Sequence, residues 1–121
     1  MIDITIPLRA FSKKNSRRIF RRRWGGITNL PSTAYSRFET ECWEYLEKYV
    51  GAITGPFLMG LVYEVPGKGN VDLDNIVTGV LDALQHYQVI ANDRDYMGTD
   101  YQRKVIGAKS WCVKISLIPL E

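Results

Sequence analysis

The sequence is poor in the residues that most metal sites and nucleophilic sites require. It contains two cysteines, Cys42 and Cys112, which match no zinc-ligand spacing, and one histidine, His86. It has no P-loop and no motif for a Ser-His-Asp set. We expect both cysteines to be free, buried thiols in a reducing cytoplasm. His86 falls in the last turn of a predicted helix, where a helix-terminal role is more typical than that of a general base.

Long hydrophobic runs are also missing. Nowhere do 18 apolar residues follow one another, and the N-terminus "MIDITIPLRAF" has no basic region before an apolar one. The sequence thus gives no sign of export or of membrane insertion, and we expect a cytoplasmic protein. At 121 residues the chain fits one domain, residues 1–121, and a globule of this size buries roughly 65% of the surface of its unfolded chain.

Acidic residues are absent from residues 9–23, although this segment carries half of the sixteen basic residues. These eight are Arg9, Lys13, Lys14, Arg17, Arg18, Arg21, Arg22 and Arg23. The rest of the chain has eight basic and thirteen acidic residues, so the net charge of +3 conceals a basic segment on an acidic body. A segment of this kind is expected to meet a polyanion.

The basic segment, at about residues 8–30, ends in "WGGITNLP" and predicts a loop or a loosely formed hairpin. Large apolar side chains are interleaved with its charges: Phe11, Ile19, Phe20 and Trp24. Basic side chains with aromatic neighbours suit phosphate contact and base stacking. The alternative is a solvated loop or a flexible tail, in which so many large apolar groups are unusual.

The rest of the chain predicts alternating strands and helices. Alternation predicts strands at residues 2–6 and 111–119, and a nearly continuous apolar run predicts a strand at 57–65, buried on both faces near the middle of a sheet. A less regular strand is predicted at 96–106. One helix begins at Ser32 or Thr33, and its apolar face is formed by Tyr35, Phe38, Cys42, Leu46 and Tyr49. A second has the stripe Leu73, Ile76, Val77, Val80, Leu81 and Leu84. The order favours an α/β chain of the α+β type, with helices packed on a mixed sheet in two layers.

Two carboxylates flank the start of the second helix, in the motif "VDLDN" at residues 71–75. Within a helix, Asp72 and Asp74 would be rotated by about 200° from each other, so they converge only if Asp72 precedes the helix and Asp74 lies in its first turn. Asp93, in "NDRD", follows the helix and is a candidate third carboxylate. The alternative is an ordinary helix cap, with one aspartate capping and the other solvated.

The combination of "DLDN" at 72–75, "VLDAL" at 80–84 and "ND" at 92–93 resembles the RusA family of Holliday junction resolvases. "FSKKNS" and "PSTAYSRF" near the N-terminus are similar to further segments of that family. The resemblance spans most of the chain, and each motif alone is weak. It implies that Asp72, Asp74 and Asp93 are the catalytic, metal-binding residues, with Mg²⁺ or Mn²⁺ as cofactor. It also implies a homodimer that nicks paired strands of a four-way DNA junction, in recombination and repair.

Two positions depart from the family pattern. Thr78 stands where well-studied members have a lysine that helps the chemistry or holds the scissile phosphate, and Asn92 replaces the first acid of a pair. Lys68, in the preceding turn, is a candidate substitute for that lysine. The expected DNA contacts are Lys13, Lys14, Arg17, Arg18, Arg21, Arg22, Arg23 and Lys68. Proteins of this family are often encoded by phages or prophages and act in the bacterial cytoplasm.

Two other functions remain open from the sequence. A non-catalytic module that binds branched DNA or RNA would explain the basic segment and is favoured by Thr78. A metal-dependent enzyme acting on a nucleotide or another small phosphate ester would explain the aspartates but leaves the basic segment without a purpose.

Overall fold

The structure is a computed structural model that describes residues 1–12, 18–21, 27–30, 33–69 and 71–120, with backbone alone for 18–21 and 27–30. Two 3₁₀ turns lie at Glu47–Tyr49 and Asp93–Asp95. The helices and strands are, in chain order, β1 (Ile2–Ile6), β2 (Arg18–Arg21), β3 (Ile27–Leu30), α1 (Thr33–Leu46), β4 (Phe57–Val65), α2 (Leu73–His86), β5 (Tyr96–Ile106) and β6 (Cys112–Pro119).

The main sheet has four strands in the order β1-β6-β4-β5. β4 is antiparallel to β6 and parallel to β5, and β1 is antiparallel to β6. The apolar strand β4 therefore lies inside the sheet, as predicted, while β1 and β5 are its edges. With α1 and α2 packed on this mixed sheet, the predicted α+β arrangement in two layers is confirmed.

The two helices bury the stripes that their sequences predict. α1 buries Tyr35, Phe38, Cys42 and Leu46, and α2 buries Ile76, Val77, Val80, Leu81 and Leu84. The predicted extension of the first helix to Tyr49 is wrong, because α1 ends at Leu46 and the chain tightens into a 3₁₀ turn. There the Tyr49 hydroxyl donates to the Asp3 carbonyl at 3.2 Å, so the ring is held against β1 rather than on the helix.

The basic segment contains the predicted hairpin. β2 and β3 pair antiparallel, with Arg18 opposite Leu30 and Arg21 opposite Ile27, and they form a sheet of their own. We call residues 13–32 the basic arm. Lys13, Lys14, Arg17, Arg22 and Arg23 lie outside the described residues, so their DNA contacts stay predictions.

The prediction that both cysteines are free and buried is confirmed. Cys42 and Cys112 are free and buried, at 0% and 9% exposure. Burial raises the pKa of the Cys42 thiol from 9.0 to about 12. Within the described part of the chain, neither helix is long and apolar enough to cross a bilayer.

Candidate metal and nucleic-acid site

Asp72 is the N-cap of α2. Its backbone is extended, with φ −84° and ψ 108°, and its Oδ1 accepts a hydrogen bond from the Asp74 amide at 3.0 Å. Its Oδ2 accepts from the Asn75 side-chain amide, also at 3.0 Å. The predicted placement, with Asp72 before the helix and Asp74 in its first turn, is confirmed. Capping accounts for one acid of the pair but not for the second.

Asp74 is exposed, and its carboxylate is oriented by the sheet rather than by its own helix. Its Oδ1 accepts a hydrogen bond from Gln102 Nε2 at 3.1 Å. Gln102 lies on β5 opposite Leu61 of β4. Local patterns do not predict this contact, because Gln102 and Asp74 are 28 residues apart and no periodicity connects them.

The pair of carboxylates fits an open site for a hard divalent cation. Mg²⁺ is commonly held by one or two carboxylates and keeps several waters. A carboxylate oxygen has a further lone pair after it accepts one hydrogen bond, so the cap does not exhaust Asp72. Across the described ranges, no group of three or more His, Cys, Asp or Glu side chains is arranged to hold a metal ion. Asp72 and Asp74 are therefore two candidate ligands rather than a closed cage.

The structure separates Asp93 from this pair. The Asp93 amide donates to Gln85 Oε1 at 3.0 Å, which places Asp93 beside the last turn of α2. The eleven residues from Asp74 to Gln85 span about 16 Å of helix. Along β5, the six residues from Tyr96 to Gln102 give a similar distance of about 20 Å. The expectation that the chain returns Asp93 to Asp72 and Asp74 was wrong for a single copy.

Two lysines lie near the acidic turn. Lys104, on β5, donates from Nζ to the Gly69 carbonyl at 2.8 Å, directly before the segment that leads to Asp72. Lys68 is exposed in the same turn. The Thr78 hydroxyl donates back to the Asp74 carbonyl at 3.0 Å, so this side chain is held against its own helix. Lys104 thus brings a positive charge from β5 to the turn that precedes Asp72.

Residues 11 and 12, which precede the basic arm, lie directly on α2, and a glycine makes this possible. A Cβ built on Gly79 would meet the Phe11 carbonyl oxygen at 2.0 Å, so the chain passes directly over the helix there. The neighbouring Ala10 amide donates to the Tyr63 hydroxyl at 3.0 Å. Gly79 is five residues from Asp74, which is about 8 Å along the helix axis and about 140° around it. The chain directly before the basic arm therefore lies on the same helix as the acidic pair, within about two turns of it along the axis.

Arg9 links the residues that precede the basic arm to the rest of the domain. Its guanidinium carbon lies 5.1 Å from the centroid of the Phe11 ring and 4.6 Å from that of Trp111. Such cation–π contacts are typically stabilising by about 0.5–1 kcal/mol at exposed sites. Arg9 thus has a structural role in addition to its charge.

His86 belongs to a separate contact between the two helices. Its Nε2 lies 3.7 Å from Glu39 Oε1 of α1, and the Tyr87 hydroxyl donates to the Glu39 carbonyl at 2.8 Å. His86 is the last residue of α2, as the sequence predicts for a helix-terminal residue. It is at the opposite end of the helix from Asp72.

Comparison with the models of known protein families gives no match to this chain, and no curated protein matches it significantly.

Proposed function

We propose that this protein is a divalent-metal-dependent endodeoxyribonuclease that resolves four-way DNA junctions as a homodimer. The observation that carries this proposal is that α2 begins at Asp72 and Asp74 and is crossed, within about two turns along its axis, by the chain that leads into the basic arm. A nuclease must bring a polyanionic backbone to a site that is itself anionic, and a basic arm beside a cation-binding pair provides both parts.

In this proposal each described side chain has a defined task. Asp72 and Asp74 would hold the ion, and Gln102 would keep the Asp74 carboxylate in place through its hydrogen bond. When bound, Mg²⁺ supplies Lewis-acid stabilisation of the negative charge that develops on the phosphodiester. Lys104 and Lys68 would attract the phosphate next to the cleaved bond, and the basic arm would neutralise the junction arms largely independently of sequence.

The position of Asp93 requires two copies if it serves the same ion. Within one chain, Asp93 lies at the far end of α2 from Asp72 and Asp74. A two-fold axis across the middle of this helix would exchange its ends, so that Asp93 of the partner subunit completes the site. Two such sites, related by the same axis, would match the approximate two-fold symmetry of a four-way junction and nick opposing strands.

The first test is a synthetic four-way junction incubated with Mg²⁺ or Mn²⁺. We expect symmetric paired nicks that disappear in Asp74→Asn while junction binding is retained. Asp72→Asn is a second variant, because Asn caps a helix as well as Asp, so the change removes the charge and the hydrogen bond from the Asn75 side chain while it keeps the cap. Glu44→Gln, an exposed change on α1, is the control and should leave cleavage intact.

The second test asks whether the site combines two chains. Asp74→Asn and Asp93→Asn should each be inactive alone. A mixed dimer of the two contains one complete site only if Asp93 acts across the dimer, so mixing should restore single nicks without paired cleavage. Activity that stays absent in verified mixed dimers would reject the shared site.

The binding module remains the second candidate, and one observation favours it: both carboxylate oxygens of Asp72 already accept hydrogen bonds within the chain, from the Asp74 amide and from the Asn75 side chain. Tight junction binding without cleavage in either metal would select this function.

A further inference from the structure

We propose that the outer edge of β1 binds an extended, basic segment of a partner protein, which adds a strand to the main sheet. This inference goes beyond the proposed nuclease, because it concerns the edge of the sheet opposite the acidic pair. Asp74 contacts Gln102 of β5, and three strand spacings of about 4.8 Å separate β5 from β1, or about 14 Å across the sheet.

β1 directs backbone groups away from the sheet. It pairs with β6, and the strand order shows no described strand on its other side. Backbone groups along an antiparallel strand point alternately towards and away from the partner strand. The Asp3 carbonyl accepts a hydrogen bond from the hydroxyl of Tyr49, a residue outside the sheet, so we place Asp3 among the outward residues. By the same alternation, the amide and carbonyl of Thr5 also point outward.

A side-chain contact supports this assignment. The Ser116 hydroxyl of β6 donates to Asp3 Oδ1 at 2.6 Å, and the two residues are directly opposite each other in the ladder. Side chains are closer in the pairs that exchange no backbone hydrogen bonds, which are the pairs whose backbone groups point outward. The outer edge of β1 is therefore a template for another strand.

A groove lies beside this edge. It has a volume of about 710 Å³, within the range of about 300–1,000 Å³ that is usual for ligand sites. β1 forms one side, and the end of α1 with the 3₁₀ turn after it forms the other. The main lining residues are Asp3, Thr5, Glu44, Tyr45, Glu47 and Tyr49. An exposed strand edge binds an extended peptide through main-chain hydrogen bonds, and neighbouring cavities receive its alternate side chains.

Charge selects a basic segment as the occupant. The groove has three acids and one lysine, a net charge of −2: Asp3, Glu44, Glu47 and Lys48. Lys48 is engaged within the chain, because its Nζ lies 5.3 Å from the centroid of the Tyr49 ring. Lys114, opposite Thr5 on β6, forms an ion pair with Glu64 at 3.2 Å. The acids of the groove therefore attract a cationic partner and disfavour DNA at this edge.

Tyr45 provides a second contact for a lysine of the partner. Its ring is half-buried and lines the groove. Lysine packs its aliphatic stem on apolar surface and places its ammonium over an aromatic face, as Lys48 does on Tyr49 within the chain. A strand that carries lysine at alternate positions presents these lysines on one face.

The first experiment measures binding of a labelled peptide of alternating lysine and valine, KVKVKV, by fluorescence anisotropy. We expect saturable binding that is weakened about tenfold by the double change Glu44→Gln, Glu47→Gln, and also by about 0.5 M salt. Glu41→Gln is the matched control, because Glu41 is also exposed on α1 but does not line the groove. Circular dichroism checks that the variants fold. A wild type that does not bind the peptide, or equal binding by the double variant and the control, would overturn the proposal.

The second experiment distinguishes strand addition from attraction between charges. A KVKVKV peptide methylated on its backbone nitrogens keeps its charges but has lost its backbone donors, so we expect it to bind at least about tenfold more weakly. The unmodified peptide should shift the amide resonances of Asp3 and Thr5 in NMR spectra. Equal binding of the two peptides, or shifts confined to other elements, would reject strand addition.

Two other occupants would give distinct results. Shifts of the same amides that grow with protein concentration, without peptide, would identify a second copy, and displacement of the peptide by junction DNA would identify nucleic acid. Either result would reject a basic partner. Junction cleavage should be unchanged in the double variant, so a protein that binds the peptide but cuts no junction would reject only the nuclease.

Discussion

Replacing Gly79 by alanine tests whether the chain at Phe11 packs directly on α2. The ordinary preference of a helix for alanine and the packing at this position predict opposite changes in stability. In an unobstructed helix, Gly→Ala stabilises by about 1 kcal/mol because it reduces the entropy of the unfolded chain. Here the new Cβ would lie 2.0 Å from the backbone oxygen of Phe11, and the chain that carries this oxygen must move. Overpacking of this kind costs typically 1–3 kcal/mol. Because the clash involves backbone, we take the upper value and expect a net loss of about 2 kcal/mol.

The assay is thermal unfolding followed by circular dichroism. For a domain of this size, a loss of about 2 kcal/mol lowers Tm by about 8 °C. Thr78→Ala, at the adjacent exposed position, is the control and should change stability by a few tenths of a kcal/mol in either direction. Junction binding should also weaken in Gly79→Ala, because Phe11 fixes the base of the basic arm. If Gly79→Ala has an equal or higher Tm than the wild type, the chain does not cross α2 as described here.

Three further predictions concern charge. Lys104→Ala should slow junction cleavage about tenfold or more with little loss of binding, whereas Lys109→Ala should not; equal cleavage rates for the two variants would remove Lys104 from the site. In sedimentation, Mg²⁺ should strengthen dimerisation of the wild type, because it relieves repulsion among carboxylates from two chains. It should not change dimerisation of Asp74→Asn. Without metal, the Asp74→Asn dimer should be tighter than the wild-type dimer. Burial raises the pKa of the Cys42 thiol from 9.0 to about 12, so its stabilising contribution is complete below about pH 9 and is lost as the pH rises towards 12, since the unfolded thiol ionises first. Tm should therefore fall between pH 9 and 11, and less steeply in Cys42→Ala; identical slopes would contradict this cause.

The two helices and β4 show which features of the fold local sequence patterns can predict. The stripe in α2 and the apolar run of β4 each determine which residues face the core, because burial imposes the period of the element on the sequence. The end of α1 was missed by one turn. Tyr49 is apolar and falls at the helical spacing, yet its contact with Asp3 of β1 is tertiary and leaves no local signal.

Within the candidate site, too, local features were predictable from the sequence and tertiary contacts were not. The motif "VDLDN" predicted that Asp72 caps and Asp74 follows, because capping is a local preference of the chain. The location of Asp93, the contact of Gln102 with Asp74 and the approach of Phe11 to Gly79 were decided by packing between elements distant in sequence. The lengths of α2 and β5 keep residues at their opposite ends far apart. No local residue pattern predicts which end of the helix a later loop will contact.

By itself, then, the sequence determined the class of fold, the core faces and the two carboxylates at the helix start, all of which follow from local periodicity and backbone capping. Only the tertiary structure decided that these carboxylates and Asp93 lie at opposite ends of α2, and that β5 is an edge strand of the main sheet among the described strands. The physical reason is that strand order and helix length fix distances between side chains through the whole sheet, whereas the spacing of residues along the chain does not.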